Sequence, residues 1–418
     1  MSILDELDDL AERIGDHAED VFKQTVKRLE EHAREEPEPL FRLLRTVKPV
    51  LVRNGLAIVT QYDDVREVLT RDEAFSVEPY RRKMRDLAGD FILGTDDSPA
   101  YERDVSILRL AAPRSDVPAL AGFVTESSDQ LVDQSQGRLD VADLAKRVPA
   151  RLMARWFGTP GPDEDTMIAW TLAMFEEIFV NVKDDPEIKA LADDAAAAFR
   201  PYLDGAIAAR KTSAGNGHGA DDVLGRLLAM QAASPAAFSD EEIRTNFVGL
   251  IVGFIPTVAT ATTFALDALL DRPEALAGAQ QAARKDDDDA VRAYVWEAMR
   301  LEPQGPGLFR KAMRDTVIAE GTHHETRIPK GTTVFAATQS AMLDGDVVDD
   351  PDEFRPGRPE HHYLHFGIGL HACFGRFANA MQIPLIAKAV LRREGLARAG
   401  ELVKAGPFPK SLAVTFEP

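Results

Sequence analysis

The feature that most constrains the fold is a long, mostly apolar segment that begins at Ser239 and stops at Asp271-Arg272-Pro273. Ser239 and Glu242 have the spacing of a capping box, which marks a helix N-terminus. About 30 residues at 1.5 Å each make a helix of roughly 45 Å, long enough to cross a whole domain. Apolar residues occur nearly all round it, so we expect a buried central helix, and its interior polar residues argue against a membrane span.

Pro256 lies at the midpoint of this predicted helix. It has no N–H to bond the carbonyl of Val252, and a kink is therefore predicted. Proline inside a helix costs on the order of 3 kcal/mol relative to alanine. Such a cost in a core helix favours a functional reason, with a simple packing kink as the alternative.

The remaining pattern predicts a mainly α protein with small β sheets, forming one domain over residues 1–418. Residues 1–47 are charged and helical in pattern, and residues 48–95 are mostly β, with a hairpin turning at Asn54-Gly55. Residues 98–418 form a helical body that includes a second β region near 308–340 and a final helix from about 374 to 393.

The net charge of −20 argues against affinity for nucleic acid or anionic membranes. The acidic N-terminus has no signal-peptide pattern, and a single cysteine suits a reducing compartment, so a cytoplasmic location is expected. The aspartate run 286–289 and the doublets His323-His324 and His361-His362 are interpreted as surface or loop features rather than metal sites.

The only cysteine, Cys373, lies in the run Phe366-Gly367-Ile368-Gly369-Leu370-His371-Ala372-Cys373-Phe374-Gly375. The small residues around it allow tight turns and close approach to a ligand. Backbone N–H groups in such a loop can stabilise a thiolate, which is the form of cysteine that binds metal. This pattern favours a reactive, metal-binding cysteine over a buried structural one.

A second motif consists of charged residues. Glu297 and Arg300 stand three residues apart, on one face of a predicted helix, and Arg358 follows in Phe354-Arg355-Pro356-Gly357-Arg358. These three residues can form a charged triad, which would be costly to bury unless its members pair with one another.

In the order and spacing of these motifs, the chain resembles the cytochrome P450 family of haem-thiolate enzymes from about residue 45 to its end. The resemblance is strongest over residues 294–375 and implies the P450 fold, with haem b between the long central helix and the cysteine loop, 366–375. It implies that Cys373 is the thiolate ligand of the iron and that Phe366 packs beside the sulfur. The triad Glu297, Arg300 and Arg358 would support the loop.

The resemblance also implies contacts with the haem propionates. His371 and Arg310 are the expected partners, and Gly367 and Gly375 complete the cofactor-binding loop. The family often has a histidine and, four residues later, an arginine where this chain has Tyr101 and Val105. Tyr101 can still donate a hydrogen bond, with Arg103 or Arg109 as possible replacements.

The central helix departs from the family pattern. An acid–alcohol pair usually sits at its kink and supplies protons during oxygen activation. Our alignment puts Ile255 at the acid and Pro256 at the alcohol, and neither can relay a proton. Thr257 is one position further along and can substitute only if the kink rotates it. The candidate catalytic residues are Gly253, Ile255, Pro256 and Thr257.

The resemblance implies a monooxygenase that oxidises a small organic molecule with O₂ and electrons from a separate ferredoxin or flavodoxin. The missing acid–alcohol pair keeps open a peroxygenase that uses hydrogen peroxide, or an enzyme that rearranges an oxygenated substrate. A third alternative is a non-catalytic haem-binding protein.

The substrate pocket is expected to be lined by Val252, Phe254, Leu308 and Phe309, with segments 76–93 and 175–180 closing it. The segment 76–93 carries a group of basic residues that we interpret as exposed loop charge rather than an anion site: Arg81, Arg82, Lys83 and Arg85. A basic patch for the redox partner is expected on the Cys373 side, from Arg376, Lys388, Arg392 and Arg393.

Overall fold

The computed structural model of the protein describes residues 37–181, 183–214, 221–235 and 238–418. Its helices are α1 (Glu38–Val47), α2 (Tyr62–Thr70), α3 (Glu78–Leu87), α4 (Pro99–Ala111), α5 (Val117–Gln134), α6 (Val141–Trp156), α7 (Glu164–Phe175), α8 (Pro186–Ala214), α9 (Val223–Ala233), α10 (Asp240–Val252), α11 (Ile255–Leu270), α12 (Pro273–Arg284), α13 (Asp288–Leu301), α14 (Thr338–Ala341) and α15 (Arg376–Leu391). Its strands are β1 (Val50–Arg53), β2 (Leu56–Val59), β3 (Phe75–Ser76), β4 (Arg138–Asp140), β5 (Leu308–Ala312), β6 (Thr316–Ile318), β7 (Thr326–Ile328), β8 (Thr333–Ala336), β9 (Ala397–Arg398), β10 (Val403–Ala405), β11 (Phe408–Ser411) and β12 (Ala413–Thr415).

The chain divides into two compact units. The first comprises Met1–Pro79, Gly305–Glu353 and His361–Leu370, and the second comprises Tyr80–Gln304, Phe354–Glu360 and His371–Pro418. The cysteine loop therefore changes unit after Leu370. The predicted N-terminal helical segment is described only from residue 37, where α1 is helical, and its earlier part lies outside the described residues.

The first unit is built on a five-stranded sheet in the order β1-β2-β8-β5-β3. The predicted hairpin is confirmed, because Asn54 and Gly55 have φ values of 48° and 77° and join antiparallel strands β1 and β2. β2 then pairs in parallel with β8, so the two β regions that are far apart in sequence share one sheet. Apolar side chains such as Val59, Val65 and Phe75 form its core.

The second unit contains most of the helices, with α11 packed against α6, α13 and α15. The predicted capping box is confirmed. Ser239 Oγ accepts the N–H of Glu242 at 3.2 Å, and Glu242 Oε2 accepts the N–H of Ser239 at 2.6 Å. The α-helical pattern of the central helix is interrupted at Gly253 and Phe254, because α10 ends at Val252 and α11 begins at Ile255. Both residues keep right-handed helical backbone angles, and the interruption lies beside Pro256, where a kink is predicted.

The stretch Asp240–Leu270 is long and apolar enough to cross a membrane by length and composition, but 72% of its most apolar window is buried inside the protein. This burial is typical of the core helix of a globular protein, and it agrees with the interpretation from sequence.

The segment 76–93, predicted as a loop, is mostly the helix α3. Of the histidine doublets, His324 Nε2 lies 2.9 Å from Asp64 Oδ2 in the first unit. In the described ranges, no three His, Cys, Asp or Glu residues cluster in a way that could hold a metal ion.

Candidate functional site

Cys373 is a free cysteine that lies just before the N-terminus of α15 and is partly buried. Burial raises the pKa of its thiol, while a hydrogen bond from the Gly375 N–H and the positive charge of Arg376 act to lower it. These two groups favour the thiolate, which is the form that ligates a metal. Burial has the larger effect, so the pKa of the thiol lies above its ordinary value, and the loop offers the sulfur one backbone donor and a nearby positive charge.

The part of the loop that belongs to the first unit requires glycine at defined positions. Gly367 and Gly369 have φ values of 62° and 76°, where other L-residues are strained. A Cβ on Gly369 would stand 2.4 Å from the carbonyl oxygen of Leu69, so the backbones of the loop and of α2 approach too closely for a side chain. Phe366 is partly buried, with its ring edge-on to His365.

The charged triad is present and buried. Glu297 and Arg300 are fully buried, and Arg358 is 8% exposed. Arg300 donates to both carboxylate oxygens of Glu297, at 2.7 and 3.0 Å, and Arg358 Nε donates to Oε1 at 2.9 Å. The N–H of Arg355 adds a further bond at 2.9 Å. Burial acts to raise the pKa of Glu297, but these donors together hold it below its ordinary value of 4.5.

Tyr101 and His371, both expected near the propionates, lie together in the second unit with ring centroids 5.6 Å apart. Arg103 donates to Asp104 and, at 2.7 Å, to Glu242, so its guanidinium is engaged in ion pairs, while Arg109 is exposed. Of the two suggested replacements, Arg103 is held by carboxylates, and the role of either residue at the propionates stays a prediction.

Arg310 belongs to the first unit, where it is 3% exposed and its Nη1 donates to the carbonyl of Phe309 at 2.9 Å. In the same unit, the Phe309 ring packs against Phe335 at 4.9 Å, and Leu308 packs against the apolar core. The expected roles of these residues in haem and substrate binding stay predictions.

The break in the central helix changes the interpretation of Pro256. Its position in the first turn of α11 does not require a backbone donor, so the large interior penalty does not apply. Thr257 Oγ1 donates to the carbonyl of Gly253 at 2.6 Å, across the break. Ile255 is fully buried, whereas Thr257 is partly exposed. An alcohol is therefore present at the break, one residue beyond the position that our alignment assigned to it.

Phe254 points into the helical core. Its ring packs against Phe157 at 5.2 Å and Trp156 at 6.4 Å, both near the end of α6. These contacts fix the position of the Phe254 ring, and its expected role in lining the substrate pocket stays a prediction. Val252 is also buried.

The basic residues of α3 are paired with acids. Lys83 lies 3.1 Å from Glu177 and 2.9 Å from Asp184, and Arg82 lies 3.3 Å from Asp184. Arg81 and Arg85 pair with Asp90 at 3.5 and 3.1 Å. They are not a free anion site, which agrees with the expectation from sequence, although they lie on a helix and not in a loop.

Comparison with known proteins now identifies the family. The cytochrome P450 family profile matches residues 22–394. The chain belongs to the cytochrome P450 family. It is therefore a haem-thiolate oxidoreductase of the monooxygenase type, with haem b as its cofactor.

Several bacterial P450 enzymes are similar to this chain over most of their length. Cytochrome P450 107B1 of Saccharopolyspora erythraea is 26% identical over 90% of this chain and 89% of its own. Steroid C26-monooxygenase of Mycolicibacterium smegmatis is 24% identical over 84% of each chain. Erythromycin C-12 hydroxylase of Saccharopolyspora erythraea is 26% identical over 82% of this chain and 83% of its own.

The structure of CalO2 superimposes with a TM-score of 0.80 at 23% identity, covering 92% of this chain and 97% of that one. The structure of a mutant of P450 EryK in complex with erythromycin B superimposes with a TM-score of 0.76 at 22% identity, covering 93% of this chain and 97% of that one. These similarities show that the chain has the P450 fold.

The residues present fit a haem. The described part of the chain has no protein cage for a bare ion, and a single sulfur ligand suits an iron whose other in-plane ligands come from a porphyrin. Cys373 would hold the iron. Tyr101 and His371 would supply polar contacts at the edge of the ring, and the triad would steady the loop from within the same unit.

Proposed function

We propose that this P450 hydroxylates or otherwise oxidises a small organic molecule with O₂ and electrons from a separate redox partner. The observation that carries the proposal is the Thr257 hydroxyl bonded to the Gly253 carbonyl at the helix break. Haem, when bound, supplies the activation of oxygen. The chain must then deliver protons and exclude bulk water, and a polar hydrogen at the break serves the first need. Names of relatives that refer to a steroid and to erythromycin support a small organic substrate.

The break supplies acceptors as well as a donor. The last four carbonyls of an α-helix have no intrahelical partner, and Pro256 has no N–H to offer the carbonyl of Val252. Carbonyls freed in this way can hold ordered water. A water on these carbonyls can donate a hydrogen bond to the Thr257 oxygen, whose own hydrogen is held by Gly253, so Thr257 positions the water and the water carries the proton. This arrangement supports a relay that does not use the acid–alcohol pair.

The test compares two oxidants on the haem-loaded enzyme. One assay supplies O₂, reduced nicotinamide and a surrogate ferredoxin with its reductase, and the other supplies hydrogen peroxide alone. We expect product in the first assay, with product formed per nicotinamide consumed as the readout. Exclusive turnover with peroxide would overturn the proposal.

A peroxygenase or an enzyme that rearranges an oxygenated substrate is the second candidate, favoured by Ile255 and Pro256, which carry no proton. The double substitution Ile255→Asp with Pro256→Thr separates the two. It should raise O₂-coupled turnover only if the native enzyme lacks a relay. An unchanged or lower value supports the Thr257 route.

The redox partner is proposed to be an acidic ferredoxin or flavodoxin. Of the expected basic patch, Lys388 pairs with Asp286 and Asp288, and Arg393 pairs with Asp133. Arg392 also has a carboxylate partner, in Asp129. These three cations are neutralised.

A different group in the second unit supports docking. The guanidinium groups of Arg114 and Arg376 lie 4.4 and 4.6 Å from the Phe377 ring centroid, in the first turn of α15. Near Arg114 in the chain, Leu110 is 67% exposed, and Arg109 is exposed beside it. Cations that surround exposed apolar groups are typical of a surface that recruits an acidic partner.

Replacement of Arg114 by Gln should raise the KM for an acidic ferredoxin several-fold at low salt, and the difference should shrink as salt is added. Arg393→Gln is the matched control, since its charge is already paired. Equal effects of the two substitutions would contradict this docking surface.

A cytoplasmic location is proposed as well, supported by the single cysteine.

A further inference from the structure

A cluster of aromatic rings surrounds the end of α7 in the second unit. After Phe175 the chain makes one π-helical turn over Glu176–Val180. The rings of Phe175 and Phe179 lie 4.7 Å apart, Phe408 of β11 meets Phe175 edge-on at 5.9 Å, and Tyr80 of α3 packs on Phe179 at 5.5 Å. π-turns inside helices are frequent at functional sites, and this one brings two rings and a carboxylate together.

The two carboxylates of this turn differ. Glu177 is buried and satisfied, since it lies 3.1 Å from Lys83 and accepts from Asn181 Nδ2 at 2.5 Å. Glu176 is partly buried; its backbone carbonyl accepts the Asn181 N–H at 2.8 Å, but its carboxylate has no hydrogen bond or ion pair to any residue that the structure describes. Its Oε1 lies 4.0 Å from the place where a Cβ would stand on Gly406, at the turn between β10 and β11. Glu177 therefore has a structural role, whereas the packing of the chain does not account for Glu176.

The electrostatic surroundings of Glu176 favour a cation beside its carboxylate. Burial, and next the negative charge of Asp185, raise the pKa of Glu176, and both effects would be offset by a positive group beside it. Aromatic faces attract ammonium groups through the ring quadrupole, and quaternary ammonium ligands are recognised in this way. A partly desolvated carboxylate that follows Phe175, shares its turn with Phe179 and has Oε1 beside the turn leading to Phe408 is thus suited to an alkylammonium ion.

We propose that Glu176, with Phe175, Phe179 and Phe408, binds the ammonium group of an amine substrate that has an apolar body. This inference rests on the proposed monooxygenase function, because it assigns the cation to the substrate. The carboxylate provides the charge partner, the rings surround the methyl or methylene groups on nitrogen, and Gly406 leaves room for them because it has no side chain.

Binding to the haem-loaded enzyme tests the inference by isothermal titration calorimetry. The probes are decyltrimethylammonium and decanol, which have the same alkyl chain. The quaternary nitrogen has no lone pair and cannot ligate iron. We expect the ammonium probe to bind the wild type about tenfold more tightly than decanol. Glu176→Gln should abolish this preference while changing the affinity for decanol less than twofold.

Two further variants make the result specific. Glu187→Gln removes one negative charge from the exposed first turn of α8, and it should leave both affinities unchanged. Phe179→Leu keeps an apolar side chain but removes a ring face, so it should lower the affinity for the ammonium probe a few-fold and leave the affinity for decanol unchanged.

Equal affinity of the wild type for the two probes, or no binding of the ammonium probe, would overturn the inference. An equal loss for both probes in Glu176→Gln would also overturn it, since the carboxylate would then act only in packing. The oxidant assay is separate. If the ammonium preference stands while O₂-driven turnover fails, the proposed function fails and the cation site remains.

Discussion

The charged triad of Glu297, Arg300 and Arg358 (below, the cluster) and the break between α10 and α11 lie in the same unit, but they differ in how their polar groups are hydrogen-bonded. Glu297 is fully buried, and its carboxylate accepts from two guanidinium groups and a backbone N–H. At the break, Thr257 donates to the Gly253 carbonyl, the Ile251 carbonyl accepts the Phe254 N–H at 3.0 Å, and Pro256 has no N–H for the carbonyl of Val252. A region whose polar groups are all paired is suited to support, and a region with spare acceptors is suited to proton chemistry.

The largest expected effect lies at Cys373, the predicted ligand of the iron. Cys373→Ser should abolish the thiolate-type shift in the reduced carbon monoxide spectrum, because oxygen replaces the sulfur ligand. Measurement of total haem content separates a change of ligand from loss of haem. A persistent shift would refute Cys373 as the ligand.

Removal of the central charge of the cluster should be the next largest effect. Glu297→Gln leaves Arg300 and Arg358 buried without their partner, and removal of one member of such a pair costs about 3–5 kcal/mol. Urea unfolding at neutral pH gives the free energy. Glu274→Gln, on an exposed first turn of α12, is the control and should change stability by less than about 0.5 kcal/mol. Similar losses of unfolding free energy in Glu297→Gln and Glu274→Gln would contradict a supporting role for the cluster.

The same cluster predicts a dependence on pH. The pKa of Glu297 is lower in the folded state than its ordinary 4.5, so the stability it contributes is fully present above that value and is lost as pH falls through the folded pKa. The difference between the wild type and Glu297→Gln should be constant near neutral pH and shrink below about pH 4.5. A difference that grows on acidification would contradict this sign.

At the break, the expected effect concerns coupling more than stability. Thr257→Val removes the hydroxyl but keeps the shape, and product formed per nicotinamide consumed should fall about tenfold. Thr260→Val is a matched control, because Thr260 makes the same bond four residues back, to the Pro256 carbonyl at 2.9 Å, but is buried. If both variants lose coupling equally, Thr257 acts through helix geometry and not through its proton.

The smallest expected effect lies at the start of the central helix. Ser239→Ala removes one side of the capping box and should cost about 1 kcal/mol in unfolding free energy, with no change in coupling. Loss of coupling in this variant would show that the start of α10 and its end at Val252 are linked.

Some of the site could be predicted because its signals are local. The Asn54-Gly55 turn, the capping box and the spacing of Glu297 and Arg300 depend on residues close in sequence, and the structure has all three. Our alignment places Pro256 at the alcohol position and Thr257 one residue beyond it. The four-residue spacing of Thr257 from Gly253, which allows a side chain to bond a helix carbonyl, is the local signal for the bond that the structure has there.

Other features could not be predicted because they depend on residues that meet only on folding. Arg393 is cationic in the sequence and paired with Asp133 in the structure. Phe254 is apolar in either case, and only its contacts with Trp156 and Phe157 place it in the core. Glu176 and Glu177 are the same residue type side by side in the chain, and among the described residues only the carboxylate of Glu177 has an ion-pair partner, Lys83.

The sequence by itself determined the family and the cofactor, and it predicts Cys373 as the ligand, because motif spacing along one chain is enough to specify a turn, a helix face or a ligand loop. Tertiary structure alone decided at which residues the central helix is interrupted, which charges are neutralised and which carboxylate stays available. The physical reason is that these properties depend on burial and on partners distant in sequence, and a side chain acquires both only when the chain is packed.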